Sequence, residues 1–141
     1  MCFLYFYIFY IIYNMSKSEL QNRISQLNIE DFIWIIYLLI IILSFYSNSL
    51  ERNYLLTNNE KNKNRYQKVM IIIFSILIVV YIYFLKNSVD DLNNLKPTDS
   101  EKKKNLIKLS FLGSLFIAIS GFIFLYIALI DEELNVELAF N

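Results

Sequence analysis

The apolar residues of this chain are concentrated in three blocks, which polar stretches separate. Residues 32–50, 69–85 and 109–130 run for 19, 17 and 22 positions without Asp, Glu, Lys, Arg or His. As α-helices they would be about 28, 25 and 33 Å long, close to the hydrocarbon core of a bilayer, about 30 Å. A buried strand would be shorter, and a helix from a soluble core would have one polar face. The pattern therefore predicts an all-α integral membrane protein with three transmembrane helices.

The polar segment before the first block predicts a further helix. It opens with Ser16 and Glu19 at the spacing of a capping box, a typical beginning of a helix. Apolar residues then recur on one helical face, at Leu20, Ile24 and Leu27. We interpret this segment as a short amphipathic lead-in helix to the first span.

The connections between the blocks contain two more capping signatures, Thr57–Glu60 and Thr98–Glu101, the second directly after Pro97. The first predicts that spans one and two extend beyond the bilayer and reverse direction in a hairpin. The second predicts that the third helix begins near Asp99. All three spans are thus expected to have helical extensions.

A fourth apolar block, residues 1–14, is too short to cross a bilayer. Its 12 apolar residues would form a helix of about 18 Å. No basic residue precedes the block and no small-residue cleavage site follows it, so it does not fit a signal peptide. Two interpretations stay open: an interfacial or half-spanning segment, or translated upstream sequence with Met15 as an alternative start. Residues 15–141 lack repeats and flexible linkers, and are predicted to form a single membrane domain.

Basic residues near the spans predict the orientation. Residues 14–31 contain two Lys or Arg, residues 51–68 five, residues 86–108 six, and the tail after Ile130 none. Three spans place the first and third of these segments on one side, which gives that side eight basic residues against five. The positive-inside rule then puts residues 14–31 and 86–108 in the cytoplasm and the C-terminus outside.

Composition argues against several function classes. The 13 Lys and Arg balance 13 Asp and Glu without a separate basic domain, which disfavours nucleic-acid binding. With no His and one Cys, the usual metal-ligand sets are missing. The spans lack the ionisable groups of proton-coupled transporters and intramembrane proteases, and no nucleotide-binding or nucleophile motif occurs. We expect no enzyme activity, no catalytic, cofactor-binding or metal-binding residue, no cofactor and no small-molecule substrate.

The third span carries one patterned feature. Six small residues lie within an arc of about 140° at 100° per residue, and they are Ser110, Gly113, Ser114, Ala118, Gly121 and Ala128. In lipid, small residues permit close approach of helix backbones, and Ser can donate a hydrogen bond across the interface. We interpret them as a helix-packing face. It serves either internal packing against the first two spans or association with a second copy or a partner membrane protein.

Three functions fit these properties. The first is an accessory or structural membrane subunit that acts through helix packing, with the lipid bilayer and a membrane protein as its partners. The second is a holin-like permeabilising protein; holins are similar in size, in having few spans and in having charged termini, but no motif is shared and the tail here is acidic. The third is an immunity-type protein against a membrane-active peptide. We favour the first, because it requires nothing that the sequence lacks.

Overall fold

A computed structural model of the protein describes residues 17–131 and Leu134. These residues are 91% helical and form three α-helices and no strand, which confirms the all-α prediction. The helices are α1, Lys17–Thr57, α2, Glu60–Asn93, and α3, Glu101–Ile130. Each is long and apolar enough to cross a membrane, and each extends beyond its apolar block. The interpretations of residues 1–14 and of Met15 lie outside the described residues.

Helix α1 is one uninterrupted helix of 41 residues. The predicted lead-in is therefore not a separate element but continues directly into the first apolar block. The reason is local, since no Gly or Pro occurs in this helix to interrupt its hydrogen bonds. Two of the apolar residues of the predicted stripe, Ile24 and Leu27, are exposed in the structure, and Leu20 is half-buried.

The chain divides within α1 into two compact units, residues 1–39 and 40–141. In the described part of the first unit, the Arg23 guanidinium donates to Gln26 at 3.2 Å and lies 4.0 Å from the Glu30 carboxylate. The rings of Trp34 and Tyr37 lie 5.7 Å apart. The prediction of a single domain over residues 15–141 stays a prediction.

In the second unit, two residues connect α1 to α2. The predicted hairpin of spans one and two stays a prediction. Asn58 has φ 51°, a left-handed conformation that Asn adopts more readily than most residues. Asn59 is the N-cap of α2, because its side chain accepts a hydrogen bond from the Lys61 amide at 3.0 Å. The predicted capping residue was Thr57, which instead donates to the Asn53 carbonyl within α1 at 2.6 Å. The capping signature correctly predicted a break between the two helices, but it placed the N-cap two residues too early.

The connection between α2 and α3 is held by Asp99. Its carboxylate accepts from the Lys96 amide at 2.9 Å and from the Lys103 ammonium at 2.8 Å. Ser100 is the N-cap of α3 and accepts from the Lys103 amide at 3.3 Å. Helix α3 thus begins at Glu101, two residues after the predicted position, because Asp99 is occupied in closing the turn before it.

Helices α2 and α3 pack against each other as an antiparallel pair. Contacts join Gln67 to Ala128, and Phe74 to Phe124. The buried side chains of α2 recur three or four residues apart, as expected for one packed helical face. They are Tyr66, Met70, Ile73, Phe74, Leu77, Ile78, Val80 and Ser88.

The surface of the helices is apolar where the surface of a soluble protein would be polar. Side chains such as Phe45, Val79 and Phe116 are between 66% and 73% exposed. Such extensive apolar exposure is unfavourable in water and is the expected surface for contact with lipid.

Four serine hydroxyls in the apolar blocks find partners within their own helices. Ser44 donates to the Ile40 carbonyl at 2.9 Å, and Ser75 donates to the Ile71 carbonyl at 2.7 Å. Ser114 and Ser120 on α3 make equivalent bonds. Because lipid offers no hydrogen-bond partner, these bonds reduce the cost of carrying a hydroxyl into a bilayer.

Candidate helix-packing site

Helices α2 and α3 approach each other closely at Gly121. A Cβ atom at this position would lie 2.9 Å from Cδ2 and 3.1 Å from Cε2 of Tyr81. It would also lie 3.4 Å from Cγ1 of Ile78. The first distance is too short for two carbon atoms, so the Tyr81 ring occupies the space that the absent side chain leaves. Glycine at position 121 therefore sets how closely α3 approaches α2.

The six residues of the predicted packing face divide into two groups. Ala118, Gly121 and Ala128 are buried, and Gly121 faces α2. Ser114 is half-buried, whereas Ser110 and Gly113 are exposed. A Cβ atom at Gly113 would meet no atom within 4 Å. The structure thus brings the C-terminal half of the face into the interior and leaves its beginning open.

Two aromatic rings form the layer next to Gly121. Phe74 of α2 and Phe124 of α3 stack with centroids 5.6 Å apart and planes inclined by 19°. Phe74 is fully buried. Sequence reasoning did not select either ring, because Phe is frequent throughout the apolar blocks and gives no signal of its position around the helix.

A polar contact closes the site at the end of α3. The Gln67 side-chain amide donates to the Ala128 carbonyl at 3.2 Å. Ala128 lies in the last turn of α3, where backbone carbonyls generally need partners from outside the helix. Gln67 supplies a donor to one of these carbonyls. The available signal was an amide side chain two residues before an apolar block, and the sequence prediction did not include it.

Three buried polar atoms lack a hydrogen-bond partner in the described structure, Ser47 Oγ, Asn48 Oδ1 and Tyr83 Oη. Ser47 is completely buried, so its hydroxyl is inaccessible to another chain. An unpaired buried hydroxyl costs free energy. Ser47, Asn48 and Tyr83 each carry such an unpaired buried oxygen in the second unit.

The contacts described at the site are those of packing and hydrogen bonding. No group of three or more His, Cys, Asp or Glu that could hold a metal ion occurs among the described residues. No family model, no curated protein and no solved structure matches this chain. The fold of the described residues therefore defines only the class of protein, an all-α protein with three helices long and apolar enough to span a membrane.

Proposed function

We propose that the protein is an accessory or structural membrane subunit that spans the bilayer three times and acts by packing its third helix against a partner helix in the membrane. The observation that carries this proposal is the division of the small-residue face. Its buried half, with Ala118, Gly121 and Ala128, packs within the chain. Its open half, with Ser110 and Gly113, remains exposed.

The open half has the properties that contact between helices in lipid requires. The space around Gly113 permits close approach of a second backbone. The exposed residues around it include Leu109 and Leu112, which supply apolar contacts beside the small residues. The occupant that we propose is a helix of a membrane protein, either another protein or a second copy of this chain.

The test compares two substitutions of glycine by leucine. Gly113→Leu should reduce association and leave the thermal stability of the purified protein unchanged. Gly121→Leu should lower the stability itself, because it intrudes on Tyr81. Ile119→Leu, at an exposed position on the opposite side of α3, is the control. Chemical crosslinking in membranes would measure association, and a Gly113→Leu variant that crosslinks like the unsubstituted protein would contradict the proposal.

A second measurement separates this function from permeabilisation. Induced expression of an accessory subunit should leave membrane potential and viability unchanged, both for the full chain and for a chain that starts at Met15. Collapse of the potential with either version would favour the holin-like alternative. Protection that appears only when a membrane-active peptide is added would favour the immunity-type alternative.

The proposed orientation places residues 14–31 and 86–108 in the cytoplasm and residues 51–68 and the C-terminus outside. Its support is the count of basic residues given above. The test removes the single cysteine by Cys2→Ser and introduces a new one at exposed Asn64 or Asn105. In intact cells, a membrane-impermeant maleimide should label the cysteine at position 64 and not the one at position 105, and the reverse labelling would invert the orientation.

A further inference from the structure

The first two turns of α2 present three cations on one face. Lys61, Arg65 and Lys68 are all exposed, and at 100° per residue they lie within about 60° of one another. Tyr66 and Met70, the buried residues of the same turns, lie on the opposite side of the helix. We call Lys61, Arg65 and Lys68 the α2 basic face.

The three cations have no ion pair within residues 17–131. The nearby acidic residue Glu60 is paired with Lys63, and the Lys63 ammonium lies 2.7 Å from the Glu60 carboxylate. The same ammonium lies 5.6 Å from the centroid of the Tyr54 ring. At the other end of α2, two of the three adjacent lysines in the first turn of α3 have acidic partners. There Lys103 and Lys104 pair with Asp99 and Glu101 at 2.8 and 3.0 Å. The α2 basic face is therefore a group of cations that local carboxylates do not neutralise.

Two exposed leucines lie at the same helix connection as the α2 basic face, in the last turn of α1. Leu55 and Leu56 are 70% and 77% exposed, although the surrounding segment is polar. They follow the end of the first apolar block by five and six residues, about 8 to 9 Å along a helix. Lys68 directly precedes the second apolar block. If both blocks span a bilayer, Leu55, Arg65 and Lys68 lie at the depth of the headgroups, whose layers add about 5 to 8 Å on each side of the hydrocarbon core. Leu56 and Lys61 then lie just beyond these layers, about 9 and 12 Å from the apolar blocks along their helices.

We propose that the α2 basic face binds the phosphate groups of anionic phospholipids in the leaflet it borders, with Leu55 and Leu56 entering the interface at that end. This inference rests on the proposed membrane insertion. Arg65 can bind a phosphate with two parallel hydrogen bonds, and the flanking lysines contribute charge. Exposed leucine close in sequence to unpaired cations is a combination that favours an anionic membrane surface.

The test measures lipid preference around the full chain reconstituted in phosphatidylcholine vesicles. Electron paramagnetic resonance of spin-labelled phosphatidylglycerol and phosphatidylcholine gives their relative association with the protein. We expect a preference of about fivefold for phosphatidylglycerol at low salt, the factor that one surface cation contributes. High salt should reduce this preference by screening.

The triple variant K61Q/R65Q/K68Q should lose the preference, and K61R/K68R should retain it, because the arginines keep the charge. The matched control is K102Q/K103Q/K104Q, which removes three charges from the start of α3. Helicity and thermal stability of each variant exclude unfolding as the cause. Retention of the preference by the first variant, or equal loss in the control, would overturn the proposal.

The same vesicles distinguish a failure of the lipid-binding proposal from a failure of the proposed membrane insertion. A protein that sodium carbonate washes from the vesicles would overturn both. A protein that stays in the vesicles but associates equally with both lipids would overturn only the lipid-binding proposal.

Discussion

Gly121 of α3 faces Tyr81 of α2 so closely that a Cβ atom at position 121 would lie 2.9 Å from Cδ2 of the ring. This relationship gives the first prediction. Gly121→Ala should destabilise the protein by about 1 to 3 kcal/mol, the usual cost of overpacking a well-packed interior. The measurement is thermal unfolding in detergent. Gly113→Ala is the control, because no atom lies within 4 Å of its Cβ position, and equal effects of the two substitutions would contradict the prediction.

The hydrogen bond from Gln67 to the Ala128 carbonyl gives the second prediction. Gln67→Leu should destabilise the pairing of α2 with α3 by about 0.6 kcal/mol and by no more than about 1.7 kcal/mol, the range measured for side-chain hydrogen bonds in membrane proteins. Hydrogen exchange at the end of α3 should increase. Asn64→Ala, at an exposed position on α2, should change neither quantity. An unchanged exchange rate in Gln67→Leu would show that the bond contributes nothing.

The left-handed conformation of Asn58 gives the third prediction. Asn58→Ala should lower the stability by about 1 to 2 kcal/mol, because a β-carbon is unfavourable at positive φ without a compensating polar side chain. Asn58→Gly should be tolerated, since glycine adopts this conformation freely. Thermal unfolding of the two variants in detergent compares them directly. A glycine variant less stable than the alanine variant would rule out backbone conformation as the cause.

The turn before α3 should depend on pH. Hydrogen bonds from the Lys103 ammonium and the Lys96 amide hold the pKa of Asp99 below its usual range. Because the folded state favours the carboxylate, Asp99 stabilises the turn at neutral pH. That contribution is complete above the unfolded pKa of about 3.9 and is lost as the pH falls through the lower folded value.

Hydrogen exchange of the Lys96 and Lys103 amides between pH 6 and pH 3 would measure this effect, after correction for the intrinsic dependence of exchange on pH. Protection should decrease toward the acidic end. Asp99→Asn should abolish the dependence. Asp91→Asn should preserve it, since Asp91 forms no ion pair within the described residues. A constant corrected protection in the unsubstituted protein would disprove the role of Asp99.

Helix type and approximate boundaries followed from the sequence because they depend on neighbours along the chain. The apolar blocks predicted three long helices, and Pro97 marked the second connection. The capping residues were misplaced by two positions at both connections. Thr57 and Thr98 fit the capping pattern, but Asn59 and Ser100 form the caps, because the tight turns use the intervening residues. A pattern of residue types does not show which of several neighbouring polar side chains forms the cap.

The candidate packing site was less predictable. The sequence placed six small residues on one side of α3, but a helical wheel does not fix how α3 is rotated about its axis relative to α2. Ala118, Gly121 and Ala128 are buried, whereas Ser110 and Gly113 are exposed. Ser110 and Ala128 share one angle at 100° per residue, so the position along α3 decides their burial, which the wheel does not show either. The role of Ser110 and Gly113 in association therefore stays a prediction.

The sequence by itself determined that the chain is helical and that three helices are long and apolar enough to span a membrane. Both properties arise from local composition and length, because an uninterrupted apolar segment satisfies its backbone hydrogen bonds most simply within its own helix. Only the tertiary structure decided that Tyr81 fills the space at Gly121 and that Gln67 reaches Ala128. Those contacts join residues 40 and 61 positions apart. They depend on the rotation and register of packed helices, which no local pattern specifies.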